Sequence, residues 1–172
     1  MRRRLSSSVC FAILFCASVR LAFGQAHAQP NAKAVEVAVR SFMQTVARDV
    51  THDGPAAWRG FFLNSPVFYM AVDGHLVFAN RAAADKGIDE AIANIKHIDL
   101  TWGNEMRIDP LTPTLAVVAT PWHEVRELKS GRADDSGFFT ALVEFKDGRW
   151  QFRNLHWSQV HATAPVVKPA SK

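Results

Sequence analysis

Beyond its first 28 residues this chain has no cysteine: Cys10 and Cys16 both fall in the N-terminal stretch. If that stretch is removed, disulfides, thiolate catalysis and cysteine-bound metals are excluded, and the protein must be held by its core alone. Net charge is lacking too. The formal +4 comes from Arg2, Arg3, Arg4 and Arg20, and the remaining 16 basic residues balance 16 acidic ones. Nucleic-acid binding therefore loses its electrostatic support, because phosphate neutralisation needs clustered Lys and Arg. There is one tyrosine, Tyr69, so any phenolic proton donor must be this residue. No Gly-rich phosphate loop, Gly-x-Ser-x-Gly elbow, His-x-His pair or His-Glu-x-x-His motif occurs, and the seven histidines are scattered. No metal or cofactor is implied.

What is present begins with a leader. Arg2–Arg4 form a basic n-region, Val9 to Val19 an apolar h-region, and Ala26-His27-Ala28 a small-x-small cleavage site. Residues 1–28 therefore read as a signal peptide, with a mature start at Gln29. The apolar run is too short for a membrane span and Arg20 ends it, so no stable span is expected after cleavage. Phe15 stands before Cys16 where a lipobox needs a small residue. Residues 29–160 suit one domain of ordinary size, and residues 161–172, rich in Ala, Pro, Val and Lys, read as a disordered tail. An exported protein, periplasmic or secreted, is the expectation.

Apolar residues Val35, Val39, Phe42, Met43, Val46 and Val50 recur on one helical face over Ala34–Val50. Thr51 to Pro55 breaks that helix, and Pro55 suits the first turn of a short second one through Trp58 to Phe62. Ser65–Ala71 reads as a short strand, turned at Asp73-Gly74 onto His75–Ala79. Asn80 is placed to cap a helix over Arg81–Ile95. Period-two alternation then runs from Ile98 to Ile108, and further strands follow at Thr114–Leu128, Phe138–Phe145 and Arg149–Gln159. Helices first and long strands later make the class α+β: N-terminal helices packed on a strongly curved antiparallel sheet, leaving a cone-shaped hollow.

This order resembles the nuclear transport factor 2-like superfamily, and within it the SnoaL-like secreted bacterial proteins. The residues carrying the resemblance are the first helix, Ala57-Trp58 leading to Phe61-Phe62, the Val72-Asp73-Gly74 hairpin, and Asp147-Gly148-Arg149-Trp150 through His156-Trp157-Ser158. It spans Val35 to Ser158. The superfamily holds isomerases, cyclases, dehydratases, dioxygenase small subunits and non-catalytic domains, so the resemblance implies a fold and leaves activity open. In steroid-isomerase relatives an acidic base faces a tyrosine/acid pair inside the cone. Here the first helix has no tyrosine and Phe138–Phe145 offers only Thr140 and Glu144, so that site does not transfer.

Unbroken alternation along the last strand puts Trp150, Phe152, Asn154, His156 and Ser158 on one face, and Arg153, Leu155 and Trp157 on the other. His156 and Tyr69 are then the candidate proton-transfer residues. Trp58, Tyr69, Trp102, Trp122, Asn154 and His156 form the candidate ligand wall. The aromatic residues would equally serve as core filling, and His156 as a residue satisfied by a neighbouring strand or at a dimer interface. His123 and Glu124 point to opposite faces and form no dyad. Asp134-Asp135 reads as a solvated loop, and Asp53 and Asp73 as a cap and a turn. Three functions stay open: an exported protein binding a small apolar or aromatic molecule, a cofactor-independent isomerase, cyclase or dehydratase, and a non-catalytic interaction module. A homodimer through Arg153, Leu155 and Trp157 is expected.

Overall fold

The valine stripe predicted for the first helix is the fold's centre. In the computed structural model, which describes residues 32–160, α1 (Ala32–Asp53) buries Val35, Val39, Met43, Val46 and Val50 against the concave side of one sheet. A single 3-10 turn (Gly54–Ala57), with Pro55 in its first turn, leads into α2 (Trp58–Phe61). Strands β1 (Tyr69–Val72) and β2 (His75–Phe78) form a hairpin, and α3 (Arg81–Asn94) follows. Asn80 caps α3 by accepting from the Ala83 amide at 2.9 Å. The chain ends in β3 (Ile95–Trp102), β4 (Arg107–Thr112), β5 (Leu115–Leu128), β6 (Gly131–Lys146) and β7 (Arg149–Gln159). Residues 1–31 and 161–172, and with them the signal peptide and the tail, lie outside the described residues.

The sheet is curved and open, in the order β2-β1-β7-β6-β5-β3, with β4 also on β5. It is mixed rather than purely antiparallel: β1 runs parallel to β7, with Tyr69 opposite Asn154 and Val72 opposite Trp157. Two Asp-Gly turns, Asp73-Gly74 and Asp147-Gly148, hold both residues at positive φ, the geometry that lets a two-residue turn match strand twist. Asp73 does more than turn the chain, since its Oδ1 accepts from the Gln159 amide at 2.7 Å and fixes the hairpin to the end of β7. Asp53 makes no side-chain cap and sits 2.6 Å from His52 Nδ1.

Three expectations change. The alternating run over Ile98–Ile108 is two strands, because Pro121 has no amide to donate and the β3–β5 ladder stops opposite Trp102 and Trp122. β4 then re-pairs with the other half of β5, from Arg107 opposite Ala119. The first short strand begins at Tyr69 because Ser65 to Phe68 closes a turn, with the Phe68 amide donating to the Ser65 carbonyl at 3.1 Å. Asp134-Asp135 lies within β6, since the β5–β6 hairpin closes at Lys129-Ser130. His123 and Arg126 on β5 draw those two carboxylates into cross-strand pairs, His123 Nε2 lying 2.7 Å from Asp134 and the Arg126 guanidinium bonding Asp135.

At the far end of the β6–β7 ladder the strands press together at Gly137, opposite Gln159. A Cβ there would lie 1.8 Å from the Ser158 carbonyl oxygen, which is backbone and cannot swing aside. Gly137→Ala is expected to lower unfolding free energy by about 1–3 kcal/mol in urea titrations. Gly60→Ala, with open space at its Cβ, should be neutral or slightly stabilising.

Candidate functional site

β7 carries one irregularity that decides the site. Val143 pairs with Phe152 but Leu142 pairs with Asn154, so Arg153 is an inserted residue. Such a bulge reverses the inward-outward alternation beyond it. Before it Phe152 points to the core; after it Leu155, Trp157 and Gln159 do. Asn154 and His156, expected on the pocket wall, instead share the outer face with Tyr69, which is opposite Asn154 on β1 and 43% exposed. Leu155 and Trp157, expected outside at a dimer contact, are inside.

The cavity lies between α3, the β1–β2 hairpin and the inner faces of β3, β5 and β7. It measures about 300 Å³ and is lined mostly by apolar groups. Trp58, Trp122 and Trp157 form its aromatic wall, with Met70, Val72 and Ile88 among the aliphatic residues. The rings are packed edge to face, Trp157 lying 6.0 Å from Trp58 at 85° and 5.0 Å from Trp122 at 86°. Trp122 Nε1 donates to the Ser158 carbonyl at 3.3 Å, which sets its ring. Trp102, also expected on the wall, stands behind it: its ring stacks on Trp157 at 5.7 Å, and its Nε1 donates to the Met43 carbonyl at 2.7 Å. Trp58 is positioned from below. Arg81 donates to the carbonyls of Arg59 and Phe62, and Arg59 reaches Asp85 and Asp89, which pins α2 to α3.

The charged groups lining the cavity are Glu124 and Arg126. They follow Trp122 at steps of two on β5 and so share its inward face. The signal was present in the sequence, since extending the parity of Trp122 by two and four residues finds both. Glu124 is 14% exposed. Arg126 Nε stands 3.0 Å from Glu124 Oε1 but is not aimed at it, and makes no hydrogen bond. The same guanidinium bonds Asp135 through its terminal nitrogen. Opposite Glu124 and Arg126 on β3 are Leu100 and Ile98, both buried. Burial holds the Glu124 carboxyl above its ordinary range; the Arg126 charge opposes this, and the nearby Asp135 charge adds to it.

Of the candidate ligand residues, then, Trp58 and Trp122 line the cavity, Trp102 backs it, and Tyr69, Asn154 and His156 lie outside it. Trp157, Glu124, Arg126 and Gln159 complete the lining. Among the described residues no three His, Asp or Glu side chains gather as a metal site, and no helix is long and apolar enough to cross a membrane.

No protein-family model and no curated protein sequence matches the chain. Solved structures do. A scytalone dehydratase-like protein from Novosphingobium aromaticivorans is 18% identical, with a TM-score of 0.63, over 79% of this chain and 96% of that one. A nuclear transport factor 2-like superfamily protein from Salmonella enterica is 12% identical, with a TM-score of 0.64, over 79% and 98%. A hexachlorocyclohexane dehydrochlorinase is 12% identical, with a TM-score of 0.60, over 81% and 97%. The chain has the nuclear transport factor 2-like fold, an α+β cone.

Since folding raises the Glu124 acid, the native state binds its proton more readily than the unfolded chain does. The linked stability is present below the ordinary carboxylate range and is lost as pH rises through the native value. Glu124→Gln is therefore expected to melt above the parent protein at neutral pH. The gap should close on acidification, in thermal melts taken from about pH 8 to about pH 4.

Proposed function

We propose that this protein is an exported cone-fold domain that binds a small, mostly apolar molecule in the cavity walled by Trp58, Trp122 and Trp157. The observation carrying this reading is a mostly apolar, aromatic cavity of about 300 Å³ whose polar lining is Glu124, Arg126 and Gln159. That is the composition of small-molecule sites, at the lower end of their size range. The leader-like residues 1–28 support export. The fold neighbours include proteins named for dehydration and dehydrochlorination, chemistry on small molecules.

A bound ligand held at about a hundred times its dissociation constant adds roughly 2.7 kcal/mol of stability, a melting shift that a small-molecule library would reveal. Trp58→Ala is expected to weaken such a ligand about tenfold or more, while His156→Ala, on the outer face, should change affinity less than about twofold. A ligand lost equally in both variants would sink the cavity assignment.

A second reading, cofactor-independent proton transfer, is favoured by one observation: Glu124 is a mostly covered carboxyl at the cavity wall with a raised proton affinity. In this reading it takes the role that the sequence alone suggests for His156 and Tyr69. Turnover of a cavity ligand that disappears in Glu124→Gln would establish it.

The protein further acts as a homodimer, in our reading, through the outer sheet face. Tyr69, Phe138 and His156 lie there, with Tyr69 and Phe138 each 43% exposed. Light scattering should return twice the monomer mass at micromolar concentration, and Phe138→Lys should halve it.

A further inference from the structure

Glu124 lines the cavity beside Arg126 without a hydrogen bond to it. It accepts no hydrogen bond within the described residues, and its one polar contact, Arg126 Nε at 3.0 Å, is misaligned. Arg126 is meanwhile committed to Asp135, which is itself an anion. Two carboxylates around one guanidinium leave one negative charge over. No other ionisable side chain lines the cavity to neutralise it. Apart from Gln159 the rest of the wall is apolar and includes three indole rings, whose π faces attract cations. A neutral hydroxyl would supply a hydrogen bond and leave the charge stranded in an apolar site. A cation supplies both hydrogen bond and neutralisation, and an anion is repelled.

We propose that the cavity's ligand is a hydrophobic amine bound in its protonated form, its ammonium donating to Glu124 and its carbon skeleton lying against Trp58, Trp122 and Trp157. This rests on the cavity being a small-molecule site, and deepens it by naming the ligand's chemical class. Gln159 adds a neutral polar group to the lining. Glu124 and Arg126 are the charged groups that line the cavity, and Asp135 bonds Arg126, so acidification that protonates Glu124 should weaken binding.

The test uses matched pairs on one skeleton: cyclohexylmethylamine against cyclohexylmethanol, and phenethylamine against phenethyl alcohol. Melting shifts and quenching of tryptophan fluorescence are read on the purified protein. The amines should bind and the alcohols should not, at equal concentration. Glu124→Gln should lower amine affinity about tenfold or more, whereas Glu127→Gln, an exposed carboxylate on the same strand, should leave it unchanged. Alcohols binding as tightly as amines would overturn the amine assignment and leave the cavity reading standing. Amine binding indifferent to Glu124→Gln would place the amine elsewhere and overturn it too. Silence from both compound classes would count against the amine and the cavity together.

Discussion

The residue inserted at Arg153 governs what this cone contains. Up to Phe152 strand β7 follows the simple alternation; past Arg153 every side chain has changed face. Trp157 is thereby brought inside, where its ring meets Trp58, Trp102, Trp122 and Phe139 at 4.6–6.0 Å. The parallel pairing of β1 on β7 then carries the consequence one strand further. Met70 and Val72 follow Leu155 and Trp157 inward, and Tyr69 follows Asn154 outward. An unbulged strand would have put an asparagine, a histidine and a tyrosine around the hollow. The bulged one surrounds it with indole and thioether, so one residue sets the chemical character of the cavity.

The aromatic cluster is also the fold's support. No cysteine lies among the described residues, so no disulfide assists, and the side chains that hold α1 on the sheet must do so by packing. Phe68, Phe139 and Phe152 are fully buried, and Phe152 touches Phe42, Trp58 and Phe139 within 6.4 Å. Truncating one such ring costs about 3–5 kcal/mol, against a total stability of about 5–15 kcal/mol for a domain of this kind. A single core aromatic is thus a large fraction of the margin. The cavity wall is the continuation of that core, Trp58 and Trp157 belonging to both.

Much of the architecture was legible because it follows from local rules. The valine stripe of α1, the Asn80 cap, the two Asp-Gly turns and the alternation of β5 each have a near-neighbour cause, and each is where the residues put it. The site was legible only as far as that alternation held. Trp122 on β5 is inward as expected, because the strand has no inserted residue between it and Leu128. Asn154, His156 and Trp157 lie on the faces opposite to those that simple alternation gives them, because a bulge arises from the fit between two strands, and nothing in Phe152-Arg153-Asn154 announces it. Asp134 and Asp135 look like a loop in sequence for a related reason: charged residues usually mark turns, but here the partners His123 and Arg126 on the facing strand draw them into the ladder.

Glu124 stands apart from all of this. The packing, the turns and the caps each lower the energy of the native state, whereas an ionised carboxyl between Leu100 and a wall of indoles raises it. Arg126 does not cancel the cost, since its guanidinium is shared with Asp135 and its Nε points past Glu124. A glutamine would fill the same volume without the charge. Local rules broken without local compensation are characteristic of sites under a functional demand. The breach here sits in the hollow that the bulge at Arg153 makes aromatic. Two independent features of the strands, a bulge on β7 and an incompletely compensated acid on β5, converge on one cavity. The bulge also serves the core, through Leu155 and Trp157, whereas the acid contributes nothing to packing that a glutamine would not.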